Sequence, residues 1–283
     1  MQFNKITIIG LGLIGGSLAL ALKESNKVER IVGIDPNIET IEYALGNGII
    51  DTGSPEINDC VEGADIVVIS THVGIIPNTA KSLFQSASEG TIITDVGSVK
   101  SSILKAIEED LPEKLHFVAG HPIAGTENSG IKSADANLFK GRRCILTPTE
   151  KTDSASINKI KLMWETVGSE VHKMDPETHD HIFGIVSHLP HVVAYALINS
   201  VLNTKDSEQL MDFAGGGLKD YTRVAASSPD MWTEIFKANK DHLLEAISIF
   251  KNSIEDIETA IQNEDFDKLK KELEKAARTK RSL

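Results

Sequence analysis

"IIGLGLIGGSLALAL", residues 8–22, joins an apolar β-like run to an apolar helical run through a glycine-rich turn. Gly10, Gly12 and Gly15 have the spacing GxGxxG, which is weak evidence alone but strong where a strand precedes the glycines and a helix follows them. In such a turn the first glycine permits a tight bend, the second lets a phosphate approach the backbone, and the third allows close helix–strand packing. The stretch therefore predicts a βαβ unit that binds a dinucleotide.

Asp35 indicates which dinucleotide is bound. It ends the next predicted strand, 20 residues after Gly15 (35 − 15), where a carboxylate can accept hydrogen bonds from the adenosine ribose and repel a 2′-phosphate. No arginine follows in residues 35–44, so NAD is favoured over NADP. A methyltransferase uses a similar turn, but the later motifs fit it poorly. The other predicted cofactor-binding residues are Leu13, Ile14, Ser70 and Thr71.

Residues 1–174 are predicted to form a Rossmann-type α/β domain. Short β-branched runs alternate there with helical stretches, and the runs are apolar on both faces, which is typical of a doubly wound, mostly parallel sheet covered by helices on both sides. The predicted strands are residues 5–10, 30–35, 65–70, 91–96, 115–120, 143–148 and 170–174.

Residues 175–283 are predicted to form a separate all-α domain. Asp175 can cap its first helix and Pro176 suits the first helical position. Pro190 lies inside the long apolar run that follows and should kink it, because it removes the bond to the Val186 carbonyl. A heptad-like stripe near the C-terminus fits either packing within the chain or a subunit interface: Leu243, Ile247, Phe250, Ile254, Ile257 and Ile261.

The composition favours a cytoplasmic enzyme. The chain has 283 residues and a net charge of −12, which argues against non-specific nucleic-acid binding. No uninterrupted apolar run approaches the ~20 residues that span a bilayer, and the first residues lack the pattern of a signal peptide, so no membrane partner is expected. Cys60 and Cys144 are far apart, which favours reduced structural thiols.

Two stretches that follow predicted strands carry candidate catalytic groups. "TDVGSVK" (94–100) contains Ser98, and "GHPIAGTENSG" (120–130) places His121 on a glycine-flanked turn. Ligands of open α/β sheets bind beyond the carboxyl ends of the strands, so both side chains should lie near the nicotinamide. An imidazole with a pKa of ~6.5 suits abstraction of a hydroxyl proton, and the serine can orient it or bond the same substrate oxygen. A purely structural histidine is the alternative.

The helical half contributes cations. Lys219 and Arg223, in residues 213–232, lie four apart and share one face if this part is helical. In an acidic chain the pair suggests an anionic substrate, since arginine binds carboxylates in a bidentate manner. Surface ion pairing with Asp212 or Asp220 is the alternative.

His188 and His191 are spaced i, i+3 on the long apolar run. Two histidines so spaced can ligate a metal, but no third ligand stands out in the sequence. We therefore expect pocket lining or core packing and predict no metal site.

Several stretches together resemble the prephenate dehydrogenase family, which includes the arogenate dehydrogenases. The resemblance covers essentially the whole chain and implies NAD-dependent oxidative decarboxylation of prephenate to 4-hydroxyphenylpyruvate, on the route to tyrosine. The stretches are "GLGLIGGS", "DVGSVK", "GHPIAGTENSG", "SHLPHVVAYAL" and "GGGLKDYTRVAASSPDMW".

The resemblance also implies roles for individual residues. His121 would bond the ring hydroxyl of prephenate and accept its proton, and Ser98 would bond that hydroxyl or His121. Arg223 would bind a substrate carboxylate. Family members are dimers through the helical domain, which favours the interpretation of the stripe as a subunit interface. The remaining positions would enclose the substrate: Lys219 near Arg223, His191 in the pocket, Thr126 and Glu127 at its mouth, and Trp232 from a partner subunit.

Three alternatives stay open from the sequence. Arogenate differs from prephenate by an amine in place of the side-chain ketone, and no residue decides between them. A β-hydroxyacid dehydrogenase with a catalytic lysine shares the architecture but does not explain "GHPIAGTENSG". A non-catalytic NAD-binding sensor would keep the glycine motif and need none of His121, Ser98 and Arg223.

Overall fold

The first half of the chain folds around a six-stranded sheet whose neighbouring strands all pair in parallel. The computed structural model describes residues 2–126 and 128–282. The strand order is β3-β2-β1-β4-β5-β6, so the direction of winding reverses between β1 and β4. The strands are β1 (Phe3–Ile9), β2 (Val28–Ile34), β3 (Thr52–Ser54), β4 (Ile66–Ile69), β5 (Ile92–Asp95) and β6 (His116–Val118).

Helices cover both faces of this sheet. Along β4 the side chains alternate between two apolar clusters, with Ile66 and Val68 in one and Val67 and Ile69 in the other, and all four are fully buried. This confirms the prediction of a doubly wound sheet. The helices of this half are α1 (Leu13–Ser25), α2 (Ile38–Gly46), α3 (Asn58–Val61), α4 (Ile76–Ser82), α5 (Ser101–Glu108) and α6 (Ser154–Thr166).

A second, three-stranded sheet lies beside the first. It consists of β7 (Gly120–Pro122), β8 (Arg143–Leu146) and β9 (Glu170–Lys173), with β7 antiparallel to β8 and β8 parallel to β9. The predicted strand 115–120 therefore divides between two sheets. The short strand β3 was not predicted, because three residues reading Thr-Gly-Ser carry no apolar pattern.

The second half is helical throughout its regular structure. Asp175 caps α7 by accepting a hydrogen bond of 2.9 Å from the Thr178 N–H, and Pro176 occupies the first turn, as predicted. The helices are α7 (Pro176–Phe183), α8 (Leu189–Leu202), α9 (Ser207–Asp212), α10 (Gly216–Thr222), α11 (Pro229–Ala238), α12 (Lys240–Gln262) and α13 (Phe266–Arg281).

A π-helical turn, Gly184–His188, joins α7 to α8 and accommodates Pro190. The Leu189 N–H bonds to the Gly184 carbonyl, one residue further back than in an α-helix. The helical path therefore continues across the proline through a wider turn, which is itself a common position for the kink that the sequence predicts. Such π turns are frequent at functional sites.

The helical segment Pro176–Leu202 is long and apolar enough, by length and composition, to cross a membrane. The sequence prediction considered uninterrupted apolar runs and did not anticipate this segment. It includes His179, Asp180 and His188, which are buried against the rest of the chain. Core helices of soluble proteins can have the same length and composition.

Candidate active site

The glycine turn has the geometry that a dinucleotide requires. Gly10 has a φ of +92°, and a Cβ there would collide with the Ser70 carbonyl oxygen. A Cβ at Gly15 would collide with the Gly10 carbonyl oxygen, so helix α1 packs closely on β1. At Gly12, in contrast, a Cβ would meet nothing within 4 Å. The backbone at Gly12 is therefore open to an approaching phosphate, next to the N–H groups that begin α1.

Asp35 is fixed beside this turn. One carboxylate oxygen accepts a bond of 2.9 Å from the Leu11 N–H, and the other accepts one of 3.0 Å from the Asn37 N–H. On the other side of the turn, the Thr71 side chain lies close to Gly10. The Thr71 hydroxyl is buried and has no hydrogen-bond partner among the described residues. The carboxylate, the open backbone and this unpaired hydroxyl fit a bound dinucleotide.

The polar groups follow one another along the carboxyl edge of the six-stranded sheet. In the order of the strands, Asp35 follows β2, Gly10 follows β1, Ser70 follows β4, Asp95 ends β5 and Gly120 lies just beyond β6. Substrates of open α/β sheets bind at this edge, near the point where the strand order reverses. The edge therefore carries the predicted cofactor-binding residues on one side and His121 on the other.

His121 lies on strand β7, paired with Ile145 of β8, whereas the sequence predicted an irregular turn. Gly120 packs against β5, since a Cβ there would lie 3.1 Å from the Asp95 carbonyl oxygen. The Gly120 N–H donates to the Asp95 carboxylate over 3.2 Å. A rigid strand thus holds the imidazole, and glycine is needed before it because the two backbones approach closely.

A hydrogen-bonded relay orients the His121 ring. His121 Nδ1 lies 2.9 Å from His179 Nε2, and His179 Nδ1 lies 2.8 Å from Asp180 Oδ1. Asp180 accepts two further bonds of 2.8 Å, from the N–H groups of Lys100 and Ser101 at the start of α5. A helix N-terminus favours the charged carboxylate.

The relay sets the tautomer of each ring. The charged Asp180 only accepts, so His179 carries its proton on Nδ1 and presents a lone pair at Nε2. His121 must then donate from Nδ1, which leaves its Nε2 as an acceptor. The arrangement therefore presents a neutral imidazole ready to take up a proton.

Electrostatics keep both histidines neutral. Burial lowers the pKa of His121 well below its usual value, and electrostatic repulsion from His179, Lys100 and His188 would lower it further. Burial also lowers the pKa of His179, although Asp180 opposes the shift. For Asp180 itself, burial raises the pKa, but the bonds from His179, Ser101 and Lys100 outweigh it and hold the pKa below its usual range.

A buried ion pair joins the Ser98 loop to β7. Lys100 Nζ bonds to the Asp95 carboxylate and donates to the Gly120 carbonyl oxygen over 2.7 Å. Both charged side chains are fully buried. Ser98, two residues before Lys100, is thereby held on a loop next to the strand that carries His121. The hydrogen bond found at His121 Nδ1 is with His179, so Ser98 does not orient the ring there.

Trp232 and His191, both predicted to line the substrate pocket, form a stacked pair. Their rings stack with centroids 3.5 Å apart and an interplanar angle of 24°. His191 Nδ1 lies 3.0 Å from the Ser187 carbonyl oxygen, which defines its tautomer. The indole is buried against His191 of its own chain, and its predicted approach to the site of a partner subunit stays a prediction.

His188 is a core residue. It is fully buried, and its Nδ1 lies 3.0 Å from the Asn239 amide nitrogen. The same amide donates to the Asp180 carbonyl over 2.8 Å. Burial lowers the pKa of His188 to about 4. His188 thus helps to position Asn239, which in turn holds the backbone of Asp180.

The predicted anion-binding residues are exposed. Arg223 lies close enough to His191 for its charge to lower the pKa of that ring, after the larger effect of burial. Lys219 is on α10, which ends at Thr222, so Lys219 and Arg223 do not share one continuous α-helix. Thr126 is exposed on the loop after β7. Glu127 lies outside the described residues.

Sequence reasoning missed Asp95, Lys100, His179 and Asp180. Lys100 belongs to a motif that was singled out, and an Asp at a strand end followed by a Lys in apolar surroundings is the signal that could have drawn attention to it. For His179 and Asp180, the only signal in the sequence is that the two residues are adjacent. Cys60 and Cys144 are both free, as predicted.

A dinucleotide turn and an oriented neutral imidazole at the same sheet edge define an NAD(P)-dependent dehydrogenase. Family models described as prephenate dehydrogenase, nucleotide-binding domain, and prephenate dehydrogenase, dimerization domain, match residues 18–173 and 175–275. The chain belongs to the prephenate dehydrogenase family and is an NAD-dependent oxidoreductase.

Individual relatives agree with this assignment. Prephenate dehydrogenase of Bacillus subtilis is 37% identical over 94% of this chain and 72% of its own length. Cyclohexadienyl dehydrogenase of Zymomonas mobilis is 35% identical over 99% of this chain and 96% of its own. The crystal structure of A. aeolicus prephenate dehydrogenase with hydroxyphenyl propionate and NAD+ superposes with a TM-score of 0.93 at 39% identity, covering 99% of this chain and 98% of that one.

Proposed function

We propose that the chain catalyses the NAD-dependent oxidative decarboxylation of prephenate to 4-hydroxyphenylpyruvate, a step of tyrosine biosynthesis. The observation that carries the proposal is the relay from Asp180 through His179 to His121, at the edge of the sheet that also carries the dinucleotide turn. A non-catalytic NAD-binding protein would have no use for a neutral imidazole oriented in this way. Family membership supplies the substrate class.

His121 is the proton acceptor. Its Nε2 takes the proton of the substrate hydroxyl, and the positive charge that develops on the ring is stabilised by Asp180 through His179. Ser98 holds the same hydroxyl from the neighbouring loop. NAD, when bound, accepts the hydride from the carbinol carbon.

The cofactor is held by the residues of the glycine turn and its neighbours. Gly10, Gly12 and Gly15 shape the turn, Asp35 accepts bonds from the adenosine ribose, and the first N–H groups of α1 bind the pyrophosphate. The positions that complete the site are Leu13, Ile14, Ser70 and Thr71.

The substrate's anionic groups require cations. Arg223 binds a carboxylate in a bidentate manner, with Lys219 nearby, and His191 stacked on Trp232 lines the pocket. Thr126 would lie at the mouth of this pocket, and control of access by Glu127, which lies outside the described residues, stays a prediction. Loss of CO2 then yields an aromatic ring, so the overall reaction is strongly downhill.

We also propose that the active form is a cytoplasmic homodimer joined through the helical domain, residues 175–283. In one chain the heptad-like stripe is buried only at its start: Leu243 is 5% exposed, whereas Ile254 and Ile261 are 48% and 51% exposed. A second copy that covers this stripe removes a large apolar surface from water. The match of residues 175–275 to a dimerization domain supports this arrangement.

The test is NADH formation by the purified protein with NAD, with prephenate and arogenate supplied separately. A rise in NADH absorbance with prephenate supports the proposal. A clear preference for arogenate would leave the proposed residue roles in place but make arogenate the substrate. His121→Asn should lower kcat by about 10²–10⁴-fold, the usual contribution of a general base, while NAD binding is retained. No turnover of either substrate by native protein, with NAD or NADP, would overturn the proposal.

A further inference from the structure

We propose that the chain binds a divalent transition-metal ion at a second site, on the surface formed by α7 and α12. The donors are Glu177 and His181 of α7 and His242 and Glu245 of α12. This cluster, here termed the α7–α12 site, takes no part in the dehydrogenase chemistry described above.

Each helix presents its two donors on one face. His181 follows Glu177 by four residues and Glu245 follows His242 by three, and both spacings bring side chains together on a helix surface. The helices lie close together there, since a Cβ added at Gly184 would be 3.3 Å from His242 Cβ. Four potential ligands therefore converge from two rigid elements.

The contacts between the helices pair each imidazole with a carboxylate. His242 Nε2 lies 3.1 Å from Glu177 Oε2, and His181 Nδ1 lies 3.6 Å from Glu245 Oε2. The two imidazole rings are 5.8 Å apart at their centroids. Ligand atoms of His181, His242 and Glu245 all lie within 4.8 Å of one another.

These separations suit a small cation after modest side-chain adjustment. Zinc–nitrogen and zinc–oxygen bonds of about 2.0–2.2 Å place tetrahedral ligand atoms roughly 3.4 Å apart. Glu177 and Glu245 are more than half exposed, so their carboxylates can turn inward without disturbing the core. Two imidazoles with carboxylates favour Zn²⁺, Co²⁺, Ni²⁺ or Cu²⁺ over Mg²⁺, which prefers oxygen ligands.

The site adjoins the relay. His181 follows Asp180 directly, and α12 begins just after Asn239, whose amide holds the Asp180 carbonyl. A metal ion that joins α7 to α12 therefore fastens together the two helices that position Asp180. We expect it to stabilise the fold without supplying any catalytic group.

The experiment titrates Zn²⁺ into untagged, EDTA-treated protein by calorimetry, and Co²⁺ with its visible absorption as the readout. We expect one ion per chain, and no comparable binding of Mg²⁺. Loss of one supporting residue around a metal commonly costs about 10–100-fold in affinity, so His181→Gln with His242→Gln should cost more than about 100-fold. Zn²⁺ should raise the Tm of the native protein and leave that of the double variant unchanged.

His172→Gln is the matched control, because His172 is an exposed histidine of β9 that is not one of the four donors. It should bind Zn²⁺ like the native protein. Dehydrogenase activity in metal-free buffer shows that the double variant is folded. Undiminished Zn²⁺ binding by that folded variant, or no stoichiometric binding by the native protein, would overturn the proposal.

Discussion

His121 and His179 face each other edge to face, with ring centroids 5.1 Å apart and 2.9 Å between His121 Nδ1 and His179 Nε2. The first residue comes from the nucleotide-binding half and the second from the first helix of the helical half. The base of the proposed reaction is therefore completed only when the two halves are packed together.

Asp180→Asn tests the relay from its far end. The Lys100 N–H and His179 Nδ1 bond to one carboxylate oxygen and the Ser101 N–H bonds to the other. The amide keeps only one oxygen, so it loses the acceptor on one side together with the charge that fixes the His179 tautomer. By analogy with serine-protease triads, where the same change costs about 10⁴-fold, we expect kcat to fall by roughly 10²–10⁴-fold.

The pH profile distinguishes this loss from a folding defect. Without the negative charge, protonated His121 is less stable, so the acid limb of kcat should move to lower pH than in the native enzyme. NAD affinity should stay unchanged. An unaltered kcat and acid limb in Asp180→Asn would contradict the relay.

The stability of the protein should fall in mild acid. His188 is fully buried and its pKa is lowered from 6.5 to about 4, and burial also lowers the pKa of His121 and His179. Below about pH 6.5 the unfolded chain takes up protons that the folded chain does not, so stability is present above that pH and is lost as the pH falls. At about 1.4 kcal/mol per pKa unit, the shift at His188 alone lowers the free energy of unfolding by on the order of 3 kcal/mol once the pH has fallen to about 4.

Urea unfolding at about pH 7.5 and about pH 5 measures this effect. His188→Gln, which can keep a bond to Asn239, should reduce the difference between the two pH values. His172→Gln, at an exposed position, should leave it as in the native protein. Equal sensitivity to pH in native and His188→Gln proteins would show that His188 is not responsible.

The sequence predicts those parts of the site that depend on local geometry. The glycine turn can be predicted because the three glycines Gly10, Gly12 and Gly15 lie within one strand–turn–helix unit. Their spacing follows from the local backbone conformation and packing alone. His121 can be predicted as a site residue because Gly120 and Pro122 on either side of it exclude packing inside a helix. The predicted turn became a strand because β8 pairs with it from more than twenty residues away, which no local signal shows.

The relay could not be predicted for the same reason. Lys100 and Asp180 bond across 80 positions of sequence, and His121 and His179 across 58. Nothing near His179 reveals that its ring meets another histidine. Its helix carries it there because Asp180 caps the start of α5, a contact that exists only in the folded chain.

Asp35→Ser tests the cofactor preference. The carboxylate lies beside the glycine turn, where it would bond the ribose hydroxyls and repel a 2′-phosphate. Because hydrogen bonds to charged groups contribute about 1.5–3 kcal/mol, we expect the KM for NAD to rise about tenfold or more and the discrimination against NADP to shrink. Glu42→Ser, at an exposed acidic position of α2, is the control. An unchanged NAD-to-NADP ratio would remove Asp35 from this role.

Arg223→Ala tests recognition of the substrate's carboxylate. The charge of Arg223 lowers the pKa of His191, which stacks on Trp232, so the guanidinium lies near two rings that are proposed to line the substrate pocket. Carboxylate binding is largely shared by the ground state and the transition state, so KM should rise about 10–100-fold while kcat changes much less. Arg223→Lys should recover only part of the loss, because an ammonium cannot bind a carboxylate in a bidentate manner. Arg278→Ala, on the exposed surface of α13, should behave like the native enzyme. A fall in kcat with KM unchanged would instead place Arg223 among the groups that act only in the transition state.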